Sequence, residues 1–195
     1  LDLTFVFDRI RKLAAAQSHD IAARLIADGV EIRHGAAKVV RRGVVEISGE
    51  AQVDSSTVEY DVLLLATGAR PRELPDAKPD GQRILTWKQI WNLTELPDHL
   101  VVVGSGVTGA EFAGAFTALG VEVTLVSSRD RVLPTQDPDA ADVVEAVFTR
   151  RGMRVLGPAR ALSARAHRDG VTVSLADGQQ VQASHVLVAV GAVPN

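Results

Sequence analysis

Apolar residues recur at helical spacing along the start of the chain. Phe5, Ile10, Leu13, Ile21, Leu25 and Ile26 follow this period, and Gly29 stands beyond them as a C-terminal stop. The pattern predicts one long helix over Leu3–Asp28. Short extended segments follow at Val30–Arg33, Lys38–Val40, Val44–Ser48 and Thr57–Thr67, punctuated by Gly35, Gly43 and Gly49. They predict a small β-meander ending in a buried strand, Val62-Leu-Leu-Leu-Ala66. Residues 68–81 read as a loop, Thr86–Leu93 as a short helix, and Leu96–His99 as a link. An apolar run then ends on Gly104, Ala110–Leu119 reads as a helix, and Val121–Val126 as the next strand. Asp137, with Pro138 at the first helical position, opens another helix that stops at Gly152. Met153–Leu156 reads as a third strand. Ala161–Ala166 and Val171–Leu175 form an antiparallel pair around Arg168–Gly170, and Asp177-Gly178 marks a tight turn. A last apolar run starts at His185.

The run Leu100-Val-Val-Val-Gly-Ser-Gly-Val-Thr-Gly-Ala-Glu111 carries the chemistry. Gly104, Gly106 and Gly109 have the spacing of a dinucleotide fingerprint, between a predicted strand and a predicted helix. Gly104 permits the sharp turn, Gly106 offers no side chain to block a pyrophosphate, and Gly109 lets helix and strand pack closely. Ser105, Val107 and Thr108 fill the turn, and the helix N-terminus presents free N–H groups to phosphate. The alternative is a glycine-rich turn in an unrelated α/β domain.

Composition narrows the rest. The 195 residues are 46% hydrophobic and only 4% aromatic, so aliphatic side chains must fill the core. A formal charge of −3 gives no general drive towards nucleic acid or acidic membranes. No apolar run approaches the roughly 18 residues of a membrane span. No basic-then-apolar leader opens the sequence, and the default expectation is cytoplasmic. Cysteine is absent, which excludes disulfides, thiolate metal sites and a dithiol within this chain. The five histidines, His19, His34, His99, His167 and His185, show no ligand spacing, so no metal is expected. No hydrolase nucleophile elbow is present.

Two segments resemble each other, Leu63-Leu-Leu-Ala-Thr-Gly-Ala-Arg-Pro71 and Val186-Leu-Val-Ala-Val-Gly-Ala-Val-Pro194. They flank the fingerprint unit, as strands would if a domain were inserted between them. With Ala66-Thr-Gly68, the Gly104–Glu111 fingerprint, Arg131-Val-Leu-Pro134 and Val190-Gly-Ala-Val-Pro-Asn195, this layout resembles the pyridine nucleotide-disulfide oxidoreductases, the flavoprotein family of lipoamide dehydrogenase. Ile84-Leu-Thr-Trp-Lys-Gln-Ile-Trp91 and Leu96–Phe112 are most similar to its NAD(P)H quinone reductases.

The resemblance implies an α/β fold. A Rossmann-like NAD(P)-binding domain, a parallel sheet plus a β-meander, would be inserted next to a partial FAD-domain segment. The implied boundaries are 1–98 for the FAD-domain segment, 99–186 for the nucleotide domain and 187–195 for a strand returning to the FAD domain. Such proteins also carry an N-terminal FAD fingerprint, a Cys-x4-Cys pair in the disulfide reductases, and a dimerisation domain with a His–Glu pair. None of these occurs here, so the chain is expected to be the central part of a longer, homodimeric protein. Hydride would pass from NAD(P)H to FAD and on to a quinone or other acceptor. Within the chain no catalytic residue is expected, and alone it would be inactive. A dihydrolipoyl dehydrogenase is the alternative enzyme. A dinucleotide-binding module without chemistry is the alternative of another class.

The family places a glutamate such as Glu111 near the nicotinamide; the residue is otherwise an ordinary first-turn acid favoured by the helix dipole. NAD-selective members carry an acidic residue at the position of Ser127. Serine there removes repulsion of a 2′-phosphate, and Ser127, Ser128 and Arg129 can donate to one, at about 1.5–3 kcal/mol per charged hydrogen bond. Both cofactors are therefore expected, NADP(H) favoured. The alternatives are a solvated loop, or Asp130 turned inward to serve NAD. Arg160 follows Gly157-Pro158, where the family's chain passes the adenine, and is otherwise a surface arginine. Gly191 would lie beside the nicotinamide ribose, and Ala192 replaces the arginine that often follows it. Thr67, Gly68 and Ala69, with Ala37, match FAD contacts, too few to hold the flavin firmly. Trp87 and Trp91, four apart, read as anchors against a neighbouring domain.

Overall fold

A computed structural model of the chain describes residues 2–49 and 55–195. The chain divides into two compact units, one within residues 8–67, the other joining the start of the chain through Phe7 to residues 68–195. Helix α1 (Leu3–Ala27) contributes its first turns to the second of these and the remainder to the first.

In the 8–67 unit, α1 ends as its glycine predicts. Gly29 has φ 81°, its N–H reaches the Ile26 carbonyl at 3.0 Å, and the Val30 N–H reaches that of Leu25 at 2.9 Å. This pair of bonds closes a Schellman motif. β1 (Ala36–Arg41), β2 (Val44–Ser48) and β3 (Ser55–Glu59) form an antiparallel sheet in chain order. Three expectations are corrected here. The apolar stripe of α1 is exposed at Ile10, Leu13, Ile21, Leu25 and Ile26 (as is Phe5 in the other unit), and the buried positions are Leu3 and Phe7. Val30–Arg33 is not a strand. Nor is Val62–Ala66, where Val62 is 88% and Leu64 85% exposed. Among the described residues no strand pairs with that run, and unpaired backbone groups turn to solvent.

The larger unit builds β4 (Ala69–Pro71), β5 (Ile84–Thr86), β6 (His99–Val103), α2 (Val107–Ala118), β7 (Glu122–Val126), α3 (Pro138–Arg150), β8 (Arg154–Leu156), β9 (Ala161–His167), β10 (Gly170–Leu175), β11 (Gln180–Ala183), β12 (His185–Val188) and β13 (Ala192–Pro194). Five strands form a parallel sheet in the order β5-β12-β6-β7-β8, and β9–β11 form an antiparallel meander. β13 pairs antiparallel with β4, Val193 opposite Arg70, so the two similar glycine-exit segments meet each other.

The parallel sheet is buried on both faces, which explains its unbroken apolar runs. Alternation sorts the side chains. Leu100, Val102, Val123, Leu125 and Leu187 pack against α2 and α3 through Ala113, Phe116 and Phe148. Val101, Val103, Val186 and Val188 pack against the meander through Val171, Val173 and Val181. Each fully buried Val or Leu contributes about 1.5–3 kcal/mol.

Asp137 caps α3 as expected, its Oδ1 accepting the N–H groups of Asp139 and Ala140 at 3.0 and 3.3 Å. The helix expected over Thr86–Leu93 shrinks to one 3-10 turn, Ile90–Asn92. Thr86 and Gln89 explain this: Gln89 Oε1 accepts the Thr86 N–H at 2.9 Å, and the Gln89 N–H reaches the Thr86 carbonyl at 3.0 Å. Such local bonds compete with helix continuation. Trp91 is an internal anchor, edge-on to Phe7 at 5.2 Å and tilted against Phe112 at 5.4 Å. Trp87 likewise packs against the unit's own core.

Candidate functional site

Strand order makes the site. From β6 the chain steps one way to β7 and β8, and later returns on the other side of β6 as β12. That reversal opens a crevice at the carboxyl ends of β6 and β12, where ligands bind in open α/β sheets. Gly104 stands at its edge with φ 109°, and a Cβ there would overlap the Ala189 carbonyl oxygen. A Cβ on Gly109 would overlap the Gly104 carbonyl oxygen, so this glycine is what lets α2 sit against β6.

Gly106 differs. It is the N-cap of α2, with φ −68° and ψ −177°, backbone angles any residue adopts, and no atom lies within 4 Å of where its Cβ would project. No side chain caps α2, and no acidic residue occupies its first turn. The exposed Val107 and Thr108 lie here too. Free N–H groups and open space in front of a helix N-terminus are what a pyrophosphate requires, so these residues fit a dinucleotide.

Beside the turn lies a cavity of about 160 Å3 lined by Leu74, Val103, Gly104, Val126, Ser128, Ala159, Arg160 and Val190. It is smaller than a complete site for a drug-sized ligand, roughly 300–1,000 Å3. The structure thus brings Gly104, Ser128 and Arg160 together. Ser128, Arg129 and Asp130 are exposed just beyond β7, and Gly191, also exposed, follows β12 with φ 101°.

Ser127 does not join them. It is fully buried, with its hydroxyl 2.7 Å from that of Ser105 and bonded to the Arg129 backbone. Glu111 lies on a different hollow, about 400 Å3, lined by Val107, Gly114, Leu133, Gln136, Val144 and Phe148. A third, about 690 Å3, runs along α3 between Asp130, Arg131, Asp142, Glu145 and Arg150. Both are larger than the strand-end cavity; the 400 Å3 hollow meets the glycine turn at Val107, and neither is lined by Gly104. Thr67 and Ala37 belong to the 8–67 unit, and Gly68 and Ala69 to the larger one.

Two backbone contacts support the turn and the loop after β7. The Leu133 N–H donates to the Ser105 carbonyl at 2.8 Å, with Leu133 held at φ 51°. Glu145 Oε2 accepts the Val132 N–H at 2.9 Å. No sequence signal marks either contact. Away from the crevice, at the other end of the sheet, Arg83 donates to the carbonyls of Ser184 and Arg168, both at 3.0 Å. Burial and the Arg83 charge push the His185 imidazole below its ordinary value, against a smaller pull from Asp80 and Asp98. Burial raises Asp80, but backbone N–H donors from Gln82, Ile84 and Arg83 outweigh it and hold the carboxyl below its usual range. No helix among the described residues is long and apolar enough to cross a membrane, and no His, Asp or Glu cluster among them could hold a metal ion.

Known proteins share this arrangement. A NAD(P)H dehydrogenase (quinone) of Mycobacterium tuberculosis is 50% identical over 200 residues, covering 100% of this chain and 41% of that protein. A dihydrolipoyl dehydrogenase of Zymomonas mobilis is 33% identical over 193 residues, covering 92% and 41%. The crystal structure of LpdA from Mycobacterium tuberculosis matches with TM-score 0.92 and 47% identity, over 100% of this chain and 44% of that one. The chain therefore spans about two-fifths of the length of these relatives. The family model for pyridine nucleotide-disulphide oxidoreductases matches residues 6–195. With its glycine turn at the crevice of a parallel α/β sheet, this chain belongs to the pyridine nucleotide-disulphide oxidoreductase family.

Proposed function

We propose that this chain is the NAD(P)H-binding portion of an FAD-dependent oxidoreductase whose electrons go to a quinone-type acceptor. The observation that carries the reading is the open N-terminus of α2: an uncapped helix whose Gly106 leaves room for a pyrophosphate. When bound, the nicotinamide would supply hydride and the flavin would relay it. This chain's residues bind and orient. Gly104–Gly109 would hold the pyrophosphate, Ser128, Arg129 and Arg160 the adenosine end, and Glu111 and Gly191 would lie towards the nicotinamide. The quinone acceptor is taken from the Mycobacterium relative. The Zymomonas relative supports a second reading, a dihydrolipoyl dehydrogenase.

Residues 1–98 and 187–195 are read as parts of an FAD domain flanking a nucleotide domain at 99–186. The pairing of β13 with β4 supports common exit and entry points. FAD contacts from Ala37, Thr67, Gly68 and Ala69 would be partial, since GxGxxG occurs only once in the sequence. The longer protein would supply the remaining flavin contacts and the dimer interface, and the chain alone would be catalytically silent.

Calorimetric titration of the chain with NADPH and NADH tests the reading. Saturable binding of either, tighter for NADPH, is the expected result. No binding to a folded sample would overturn it.

A further inference from the structure

Ser105 and Ser127 are 22 positions apart in the sequence, yet their hydroxyl oxygens lie 2.7 Å apart inside the larger unit. Ser105 is 5% exposed and Ser127 fully buried. The Ser127 hydroxyl has no capacity left for a ligand. Its Oγ accepts the Arg129 N–H at 3.1 Å and lies within donating distance of the carbonyls of Arg129 and Arg131, at 2.9 and 3.2 Å. A hydroxyl has one proton and two acceptor sites, so these contacts together with the Ser105 hydroxyl fill its capacity. The Ser127 backbone is committed as well, its N–H to the Leu156 carbonyl at 2.8 Å and its carbonyl to the Ala159 N–H at 2.6 Å. Ser105 is tied on its other side, its carbonyl accepting the Leu133 N–H at 2.8 Å. One residue of the glycine turn thus fastens both the loop after β7 and the segment beyond it.

We propose that Ser105 is a positioning residue for 2′-phosphate discrimination, acting through Ser127 to hold the turn that presents Ser128 and Arg129 at the cavity mouth. The inference rests on the reading of this crevice as a nicotinamide-nucleotide site. It reassigns the role that sequence gives to Ser127. With that hydroxyl internally satisfied, Ser128 and Arg129 beyond β7 and Arg160 across the cavity are the exposed donors near the adenosine ribose. The pyrophosphate turn and the ribose loop then respond together, because one hydroxyl pair joins them.

The test compares adenosine 2′,5′-bisphosphate with 5′-AMP, which differ only in the 2′-phosphate. Calorimetry gives their affinity ratio for the wild-type chain, Ser105→Ala, Ser127→Ala and the double variant, each checked for a cooperative melt. Loss of one net hydrogen bond in the Ser105→Ala variant is expected to lower the ratio about three- to tenfold, beyond any loss the two ligands share. A merely structural role would weaken both ligands alike. In the Ser127→Ala background, Ser105→Ala should produce no further change, because the shared contact is already gone. Ser105→Thr, which keeps a hydroxyl, should restore the ratio. An unmoved ratio in Ser105→Ala, or an equal drop in both backgrounds, overturns the inference while 5′-AMP binding leaves the nucleotide site standing. Failure of both nucleotides to bind the wild-type chain overturns the site reading and this inference together.

Discussion

Replacing Gly106 with alanine separates folding from binding. The residue's backbone, at φ −68° and ψ −177°, suits alanine, and its Cβ would meet nothing within 4 Å. Two small effects on stability oppose each other. Alanine restricts the unfolded chain, worth about 0.4–1 kcal/mol, and is a poorer N-cap than glycine by a similar amount. The melting temperature should therefore move by no more than a few degrees. Binding should suffer far more, because the new methyl group occupies the space in front of the α2 N–H groups. Displacing one phosphate oxygen from one such donor forfeits about 1.5–3 kcal/mol, or roughly 10- to 100-fold in affinity. Thermal melts and NADPH calorimetry on the same preparation read both effects. A Gly106→Ala chain that melts normally and binds NADPH as tightly as wild type would refute the placement of the pyrophosphate.

Four contrasting outcomes follow from the same structure. Gly109→Ala drives a Cβ into the Gly104 carbonyl oxygen, so it should cost about 1–3 kcal/mol or more of stability in urea titrations, as well as binding. Trp91→Ala removes the ring between Phe7 and Phe112 and should cost about 3–5 kcal/mol in the same assay. His185 has its folded value depressed below 6.5, so its contribution is complete above that pH and is lost as pH falls through the folded value. Stability curves between pH 7.5 and pH 5 should slope downward towards acid, and His185→Gln should flatten that slope. Asp80→Ala leaves three backbone N–H groups without their acceptor and should cost about 1 kcal/mol near neutrality. It should also remove the Asp80 share of the acid loss, which sets in as pH falls through and below 3.8.

The parts of the fold legible in the sequence are those where one residue type dictates one backbone event. Gly104 and Gly109 fixed the strand-turn-helix, Asp137-Pro138 fixed the start of α3, and Gly29 the end of α1. What failed depended on partners. Val62–Ala66 reads as a buried strand because it is apolar, yet burial needs a neighbouring strand, and none of the described residues supplies one. The same holds for the exposed stripe of α1. Thr86–Leu93 has helical spacing, but the bonds between Thr86 and Gln89 take the backbone elsewhere. At the site, the glycine turn was readable and the orientation of Ser127 was not. Its hydroxyl turns inward because Ser105, 22 positions earlier, meets it, a tertiary pairing with no local signature.

On the proposed reading, a nicotinamide dinucleotide lies across the carboxyl ends of β6, β7 and β12. Amide chemical-shift mapping of the labelled chain during NADPH addition tests it most directly. Saturable shifts are expected at Gly104–Gly109, Ser128, Arg129 and Arg160, with the opposite end of the sheet around Arg83 and His185 unmoved. Shifts confined to the α3 hollow near Asp142 and Arg150, or absent throughout, would contradict it.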